Sequence, residues 1–385
     1  MPLLLLAYLA FLGISLPDGL LGVSWPSMSV SFGQPVGALG LMLPFAVASS
    51  MLSSASTGAL LTRIGLGRIL ACSIGLYAVA LLAQSLAPVF WVFIVAAVVL
   101  AAGSGAIDAA LNAFAARQFT RQITWLHAVY GLGAAAGPLL FVATAEVGLS
   151  WRWAFALVAA MLAVVIVVFA CTVRLWQIPQ QPQPRASKQP RRRSKVRRPA
   201  AIWSGASLFA VQTGMEYGTA LWAYLFLTDA RAVPPGVAAA TASGYWMALV
   251  VGRVVLGPVA LRIGPHPVLV ACLAGMGRGA ALLLLPGLAP VGGIVLLGLS
   301  AAPMFPLLTL TTRDRVGAAW ADRAIGVQSA ASAAGSATLP ALIGLFIGSF
   351  GSQVIAPCLL VLVLINAAVF AWSTSRARQH PGRIE

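Results

Sequence analysis

The chain has 385 residues, of which 60% are hydrophobic and only 8% charged. Soluble domains carry about 25% charged residues, so a soluble globular protein is excluded. The formal charge of +16 does not indicate a nucleic-acid partner, because nine of the 24 Lys and Arg residues crowd between Arg174 and Arg198, and short basic loops mark the cytoplasmic side of membrane proteins.

Apolar blocks of about 20 residues fit a bilayer core of about 30 Å at about 1.5 Å per residue. In chain order, spans are expected at 2–30, 36–61, 68–86, 89–116, 123–147 and 151–174, then at 201–229, 235–261, 266–286, 290–311, 323–349 and 351–373. The expected fold is an all-α polytopic membrane protein with twelve transmembrane helices in two six-helix, pseudo-symmetric halves. The halves are residues 1–174 and 201–373, joined by a basic linker at 175–200 and followed by a tail at 374–385. The linker "QIPQQPQPRASKQPRRRSKVRRPA" is too rich in Pro, Gln and Arg to form a packed core.

The first block starts at Pro2 with no basic region before it and carries Asp18 near its middle. It reads as a retained helix and not a cleaved signal peptide. With the linker in the cytoplasm, Arg63, Arg68, Arg117, Arg121, Arg262, Arg313, Arg315, Arg323 and the basic tail lie on the same side, and Arg152 and Arg231 lie opposite. Both termini are therefore expected inside, in a bacterial-type inner membrane. The four cysteines, Cys72, Cys171, Cys272 and Cys358, lack metal-ligand spacing and read as packing residues. "GALLTRIG" (58–65) and "GPVALRIG" (257–264) repeat at an offset of 199 residues, in the same sense in each half. Two halves related by an axis along the membrane normal follow.

Of the eight acids, Asp18, Asp108 and Glu216 fall within spans. A mid-bilayer charge costs at least about 2.5 kcal/mol, so such groups face a cavity or a partner, and they suit uptake and release of a proton. Asp18 follows Pro17 and precedes Gly19, where it is placed either to cap freed backbone N–H groups or to serve a site in a broken helix. Asp108 and Asn112, in "GSGAIDAALNAF", share a helix face at i and i+4, with Gly103 and Gly105 permitting a close neighbouring backbone. Gln212 and Glu216 repeat that relation in the seventh span, followed by Tyr217 and Trp222. Trp25, Tyr130, Tyr245 and Trp246 lie near the same depths, as stacking faces for a ligand or as packing and interface aromatics. His127 adds an imidazole able to exchange protons near neutral pH. The proton-coupling set is thus Asp108, Asp18 and Glu216. The substrate-binding set is Asn112, Trp25, His127, Tyr130, Gln212, Tyr217, Trp222 and Trp246. Arg278, in the ninth span, either neutralises an acid across the cavity or snorkels to the outer face. No enzyme, metal or nucleotide motif is present, and no cofactor is expected. Energy would come from an ion gradient.

These residues resemble the major facilitator superfamily over the whole chain. "GALLTRIGLGR", 58 to 68, is similar to the family's loop between its second and third helices, which implies a gating role for Gly58, Arg63, Gly65 and Arg68. Thr62 stands where the family usually has Asp, and is placed to cap the following helix. "GSGAIDAALNAF", "WLHAVYGLGAAAGPLL", "GMEYGTALW" and "GYWMALVVGR" resemble the fucose–proton symporter branch, including bacterial glucose and fucose permeases. That likeness implies proton or hydroxyl handling by Asp18 and Asp108, and a central cavity lined by helices 1, 4, 5, 7, 8, 10 and 11. The expected function is proton-coupled uptake of a small sugar-like solute by alternating access, in a functional monomer whose partners are that solute, protons and the lipid bilayer. Asn112 and Asn366 are the chain's two asparagines. That is few for a sugar carrier and keeps open proton-driven efflux of amphipathic compounds. A receptor that keeps the fold without transport is a further class.

Overall fold

The computed structural model describes residues 2–118, 123–176, 199–317 and 320–378. All regular elements among them are helical. The first half contains α1 (Pro2–Phe32), α2 (Leu43–Ile64), α3 (Leu66–Leu86), α4 (Phe90–Gln118), α5 (Ile123–Glu146) and α6 (Trp151–Thr172). The second contains α7 (Pro199–Leu225), α8 (Pro235–Ile263), α9 (Pro265–Leu282), α10 (Ala289–Ala301), α11 (Met304–Leu310), the short α12 (Thr312–Val316), α13 (Ala321–Phe350) and α14 (Ile355–Arg378). Ten spans among the described residues are long and apolar enough to cross a membrane. In this count α10 and α11 form one span, and α7 and α9 complete the set of twelve. The linker expected at 175–200 falls, from 177 to 198, outside the described residues, as do Arg121 and the tail from residue 379.

Three elements differ from the predicted spans, each for a local reason. The second begins as a 3-10 turn, Val36–Leu41, and becomes α-helical only at Leu43, with Pro44 in the first turn, where a missing N–H costs nothing. The tenth is interrupted after Ala301 at Ala302 and Pro303, because proline supplies no donor to continue the ladder. The seventh ends in a π-helical turn, Phe226–Ala230. α1, in contrast, runs unbroken through Pro17 and Pro26. The broken first helix considered from the sequence is therefore not formed.

The packing shows the internal repeat. α1 packs on α5 and α6, α2 on α4, and α3 on α4 and α6; in the second half α7 packs on α13 and α14, α8 on α10, and α9 on α10 and α14. The halves meet through α5 against α8, α2 against α13, and α1 against α7. The repeated loop glycines adopt one conformation, φ 81° and ψ 159° at Gly65, φ 91° and ψ 154° at Gly264. Each ends the second helix of its half and starts the third, at a positive φ that disfavours a side chain. Arg63, Arg68, Arg262, Arg313, Arg315 and Arg323 lie at the helix ends of one face of the bundle, the basic face. Arg152 and Arg231 lie at the opposite face, each anchored to a carbonyl, Ser85 at 2.8 Å and Leu283 at 2.7 Å. Two of the four cysteines, Cys72 and Cys171, are exposed on helix surfaces and not packed inside.

Candidate functional site

Two cavities occupy the junction of the halves. The larger, of 770 Å³, lies toward the basic face between α2, α4 and α5 on one side and α7, α8 and α13 on the other. Asp108, His127, Tyr130, Glu216, Tyr217 and Trp246 line it. The second, of 450 Å³, lies at mid-depth, contains Asp18, and shares Ser50, Ser104, Tyr130, Tyr217 and Trp246 with the first. Leu21, Met42, Val47, Phe155 and Phe305 give the deeper cavity a largely apolar wall. Asp108 and His127 are exposed to the larger cavity, and Tyr217 is 45% exposed.

The opposite face is closed by backbone contact between the halves. A Cβ at Gly37 would lie 2.3 Å from the Gly344 carbonyl oxygen, and one at Gly22 2.5 Å from that of Leu221. Only glycine permits so close an approach. The route from the deeper cavity thus runs toward the basic face.

The three acids within spans all face this space, each with a different partner. Asp18 accepts a hydrogen bond from the Tyr130 hydroxyl on α5, so it bridges two helices and does not cap α1. Asp108 Oδ1 accepts from Asn112 Nδ2 at 2.8 Å. The sequence placed these two on one face, and Asn112 serves as the polar neighbour of the acid, one turn nearer the basic face, without itself lining the cavity. Gly105 lets α4 pack on α2: a Cβ there would lie 2.3 Å from the Ser50 carbonyl oxygen. Glu216 pairs with Arg253 of α8, Nη2 to Oε1 at 3.3 Å. Its own carbonyl accepts from the Tyr245 hydroxyl at 2.8 Å. His127 lies within electrostatic range of both Asp108 and Arg253, and its ring meets Phe11 edge-on at 5.8 Å.

Besides Asn112, three residues predicted as substrate contacts line neither cavity. Trp25 is buried against Phe90 and donates to the Val36 carbonyl at 2.6 Å. Trp222 is buried and donates to the Pro340 carbonyl at 3.0 Å. Gln212 is fully buried, accepts from Asn366 Nδ2 at 2.8 Å and donates to the Ala301 carbonyl at 3.4 Å. Their polar atoms are used in holding helices together. Of the residues expected in a gating loop, Gly58 and Arg63 belong to α2 and Arg68 to α3, with only Gly65 between the helices. All four are exposed, and neither arginine has an ion pair among the described residues. Thr62 bonds back to the Ala59 carbonyl at 2.8 Å and makes no cap for α3. Arg278 is exposed one turn from the end of α9 and lines neither cavity, the position of a snorkelling side chain.

Arg253 is the site residue that the sequence reading missed. The signal was available: an arginine ten residues inside a span needs a partner as much as an acid does. The free serines of the cavity were also missed, since serine is common in helices and carries no signal alone.

No curated protein matches the sequence significantly. Among solved structures, the fold is similar to a mutant of the nucleoside transporter NupG, with a TM-score of 0.76 and 14% identity over 95% of this chain and 99% of that one. It is also similar to a bacterial homolog of the human lysosomal transporter Spinster in an inward-facing, unoccupied conformation, with a TM-score of 0.78 and 13% identity over 97% and 96% of the two chains. The inward-facing, occupied form of that homolog gives 0.73 at 13% identity, covering 97% of each chain. The sequence profile of the Major Facilitator Superfamily matches residues 3–320, which takes in all of the first half and most of the second, and the chain belongs to that superfamily.

Proposed function

We propose that this protein is a proton-coupled secondary transporter that takes up a small sugar-like solute by alternating access. The observation that carries this reading is the convergence of Asp18, Asp108 and Glu216 on one space at the junction of the halves. Proton carriers at membrane depth belong there, because rocking of the halves exposes that space to each side in turn. A proton entering down its gradient supplies the energy for uphill uptake, through the membrane potential at about 2.3 kcal/mol per 100 mV for each net charge carried and through the pH difference when the solute's own charge cancels that of the proton. The basic face is cytoplasmic by the distribution of Arg and Lys, which makes this form inward-open in an inner membrane. Each chain encloses a complete cavity, so the monomer is the working unit. The fold it shares with a nucleoside transporter is compatible with a hydroxylated ring as cargo, and Tyr130, Tyr217 and Trp246 supply faces on which such a ring stacks.

A second reading, proton-driven export of amphipathic compounds, is favoured by one feature, the apolar wall of the deeper cavity. Proton flux into proteoliposomes containing a pH dye separates the two. Acidification of the lumen on adding pooled monosaccharides and sugar acids supports uptake, with Asp108→Asn expected to abolish the response while the protein still elutes as a folded monomer. Silence with those pools and a response to lipophilic cations would move the assignment to export. Wild-type coupling in Asp108→Asn would remove Asp108 from the proton path.

A further inference from the structure

The Glu216–Arg253 pair is built to open. A charge-assisted contact of this kind is normally about 2.7–2.9 Å and often bidentate, whereas this one is a single contact of 3.3 Å. The Arg253 side chain is 43% exposed while that of Glu216 is 12% exposed. Nε of Arg253 donates to the Ala302 carbonyl at 3.3 Å, which tethers the stem, and Nη1 makes no bond to another described residue. The Tyr245 bond to the Glu216 carbonyl pins the α7 backbone, so separation of the pair is a side-chain event. The other groups facing this space are His127 and Tyr130 from α5, Asp108 from α4, Asp18 from α1, and Tyr217 from α7.

We infer that Arg253 is the recognition site for a carboxylate on the solute, which displaces Glu216 as Glu216 takes up a proton. This rests on the proposed transport function and narrows its substrate class to hydroxylated carboxylic acids of sugar-acid size. The charge balance selects that class. A neutral sugar displacing Glu216 would leave a guanidinium and a carboxylate unpaired at membrane depth, which is costly. A carboxylate replacing a protonated Glu216 leaves the net charge of the site at zero. One proton moves onto Glu216, one anion moves onto Arg253, and neither binds well without the other. Ser50, Ser54, Ser104 and Ser329 line the same cavity and make no hydrogen bond to any described residue, so their hydroxyls are available to those of the solute. Ser329 belongs to α13 and the other three to α2 and α4, so a ligand held by both groups would bridge the halves.

The test compares gluconate and galacturonate with glucose and galactose, in proteoliposomes and in tryptophan-fluorescence binding to purified protein. The sugar acids are expected to drive proton entry and the neutral sugars not to. Glu216→Gln is expected to bind the sugar acids at a pH-independent affinity and to exchange them without net proton flux. Arg253→Gln should weaken their binding by about 10- to 100-fold. The double variant Glu216→Gln with Arg253→Gln controls for folding: if the pair were only structural, removing both charges would restore transport, and that restoration would overturn the inference. Proton entry driven by glucose or galactose and retained in Arg253→Gln would also overturn it, while leaving proton-coupled uptake standing. Silence of all four compounds in the wild type overturns the inference, and a response to lipophilic cations in the same vesicles would take the uptake reading with it.

Discussion

Gln212 and Glu216 lie one turn apart on α7 and do different work. Glu216 faces the cavity with Arg253, while Gln212 is locked between Asn366 and the Ala301 carbonyl in the interior of the second half. The sequence reading put both in the site, because i and i+4 spacing places two side chains on one face but does not say how wide the cavity-facing arc is. The buried pair gives a prediction. Asn366→Leu leaves Gln212 short of a partner and should destabilise the protein by about 1–3 kcal/mol, read as a lower midpoint of thermal unfolding in detergent. Transport per folded molecule should stay at the wild-type level. A change in apparent solute affinity instead would return Gln212 to the substrate-binding set. Trp25 and Trp222 were misplaced for a related reason: depth along a helix is legible from sequence, but direction around it is not. Their indoles are occupied by carbonyls of Val36 and Pro340.

The elements themselves were legible because composition alone sets where a chain this apolar crosses a bilayer. The faces were not, since helices apolar on all sides carry no periodicity that separates lipid from cavity. Breaks were not legible from proline alone: α1 runs on through Pro17 and Pro26, while the interruption at Pro303 falls inside a stretch read as one span, 290–311. The 3-10 turn Val36–Leu41 shows what local pattern leaves out: its close seat on α13 depends on a glycine meeting another glycine some 300 residues later. This contact joins the halves, whereas the equally close approach of Gly335 to the Ala210 carbonyl, 2.1 Å from a Cβ built there, is internal to the second half. The two glycines should therefore respond differently. Gly335→Val is expected to lower the yield of folded protein, because α7 and α13 must separate. Gly37→Val is expected to fold and to open the closed face. The check is a cysteine at Ser336, which lines the deeper cavity, in a background lacking the native cysteines. Impermeant maleimide added from the outside should label it several-fold faster when Gly37→Val is present. Equal labelling would show that this contact does not hold the face shut.

At the scale of the molecule, the repeat read from "GALLTRIG" and "GPVALRIG" corresponds to matched packing of the two halves and to matched glycine conformations at Gly65 and Gly264. Repetition was visible because a loop that needs a positive φ at one position keeps glycine there in both copies. The relation of the halves to each other was not visible, because it depends on contacts that single helices do not encode. The side-chain hydrogen bonds and the ion pair seen among the described residues, such as Trp151 to Ser31 and Asn366 to Gln212, lie within one half or the other. The halves instead meet through glycine and apolar surfaces, among them Gly131 against Val250 and Phe141 edge-on to Tyr224 at 6.3 Å. An interface without directional bonds resists relative motion little, so the balance between the inward-open and outward-open forms should be set by what fills the cavity. Ser54, which lines the larger cavity toward the basic face, reports on that balance. A cysteine there should react with impermeant maleimide in inside-out membrane vesicles and hardly at all in right-side-out cells. Solute at saturating concentration should slow the inside reaction, first by occupancy and then by drawing the halves together around it. Labelling from the outside alone would reverse the orientation assigned to the basic face, and labelling indifferent to every solute would mean that the cavity is not where transport binding occurs.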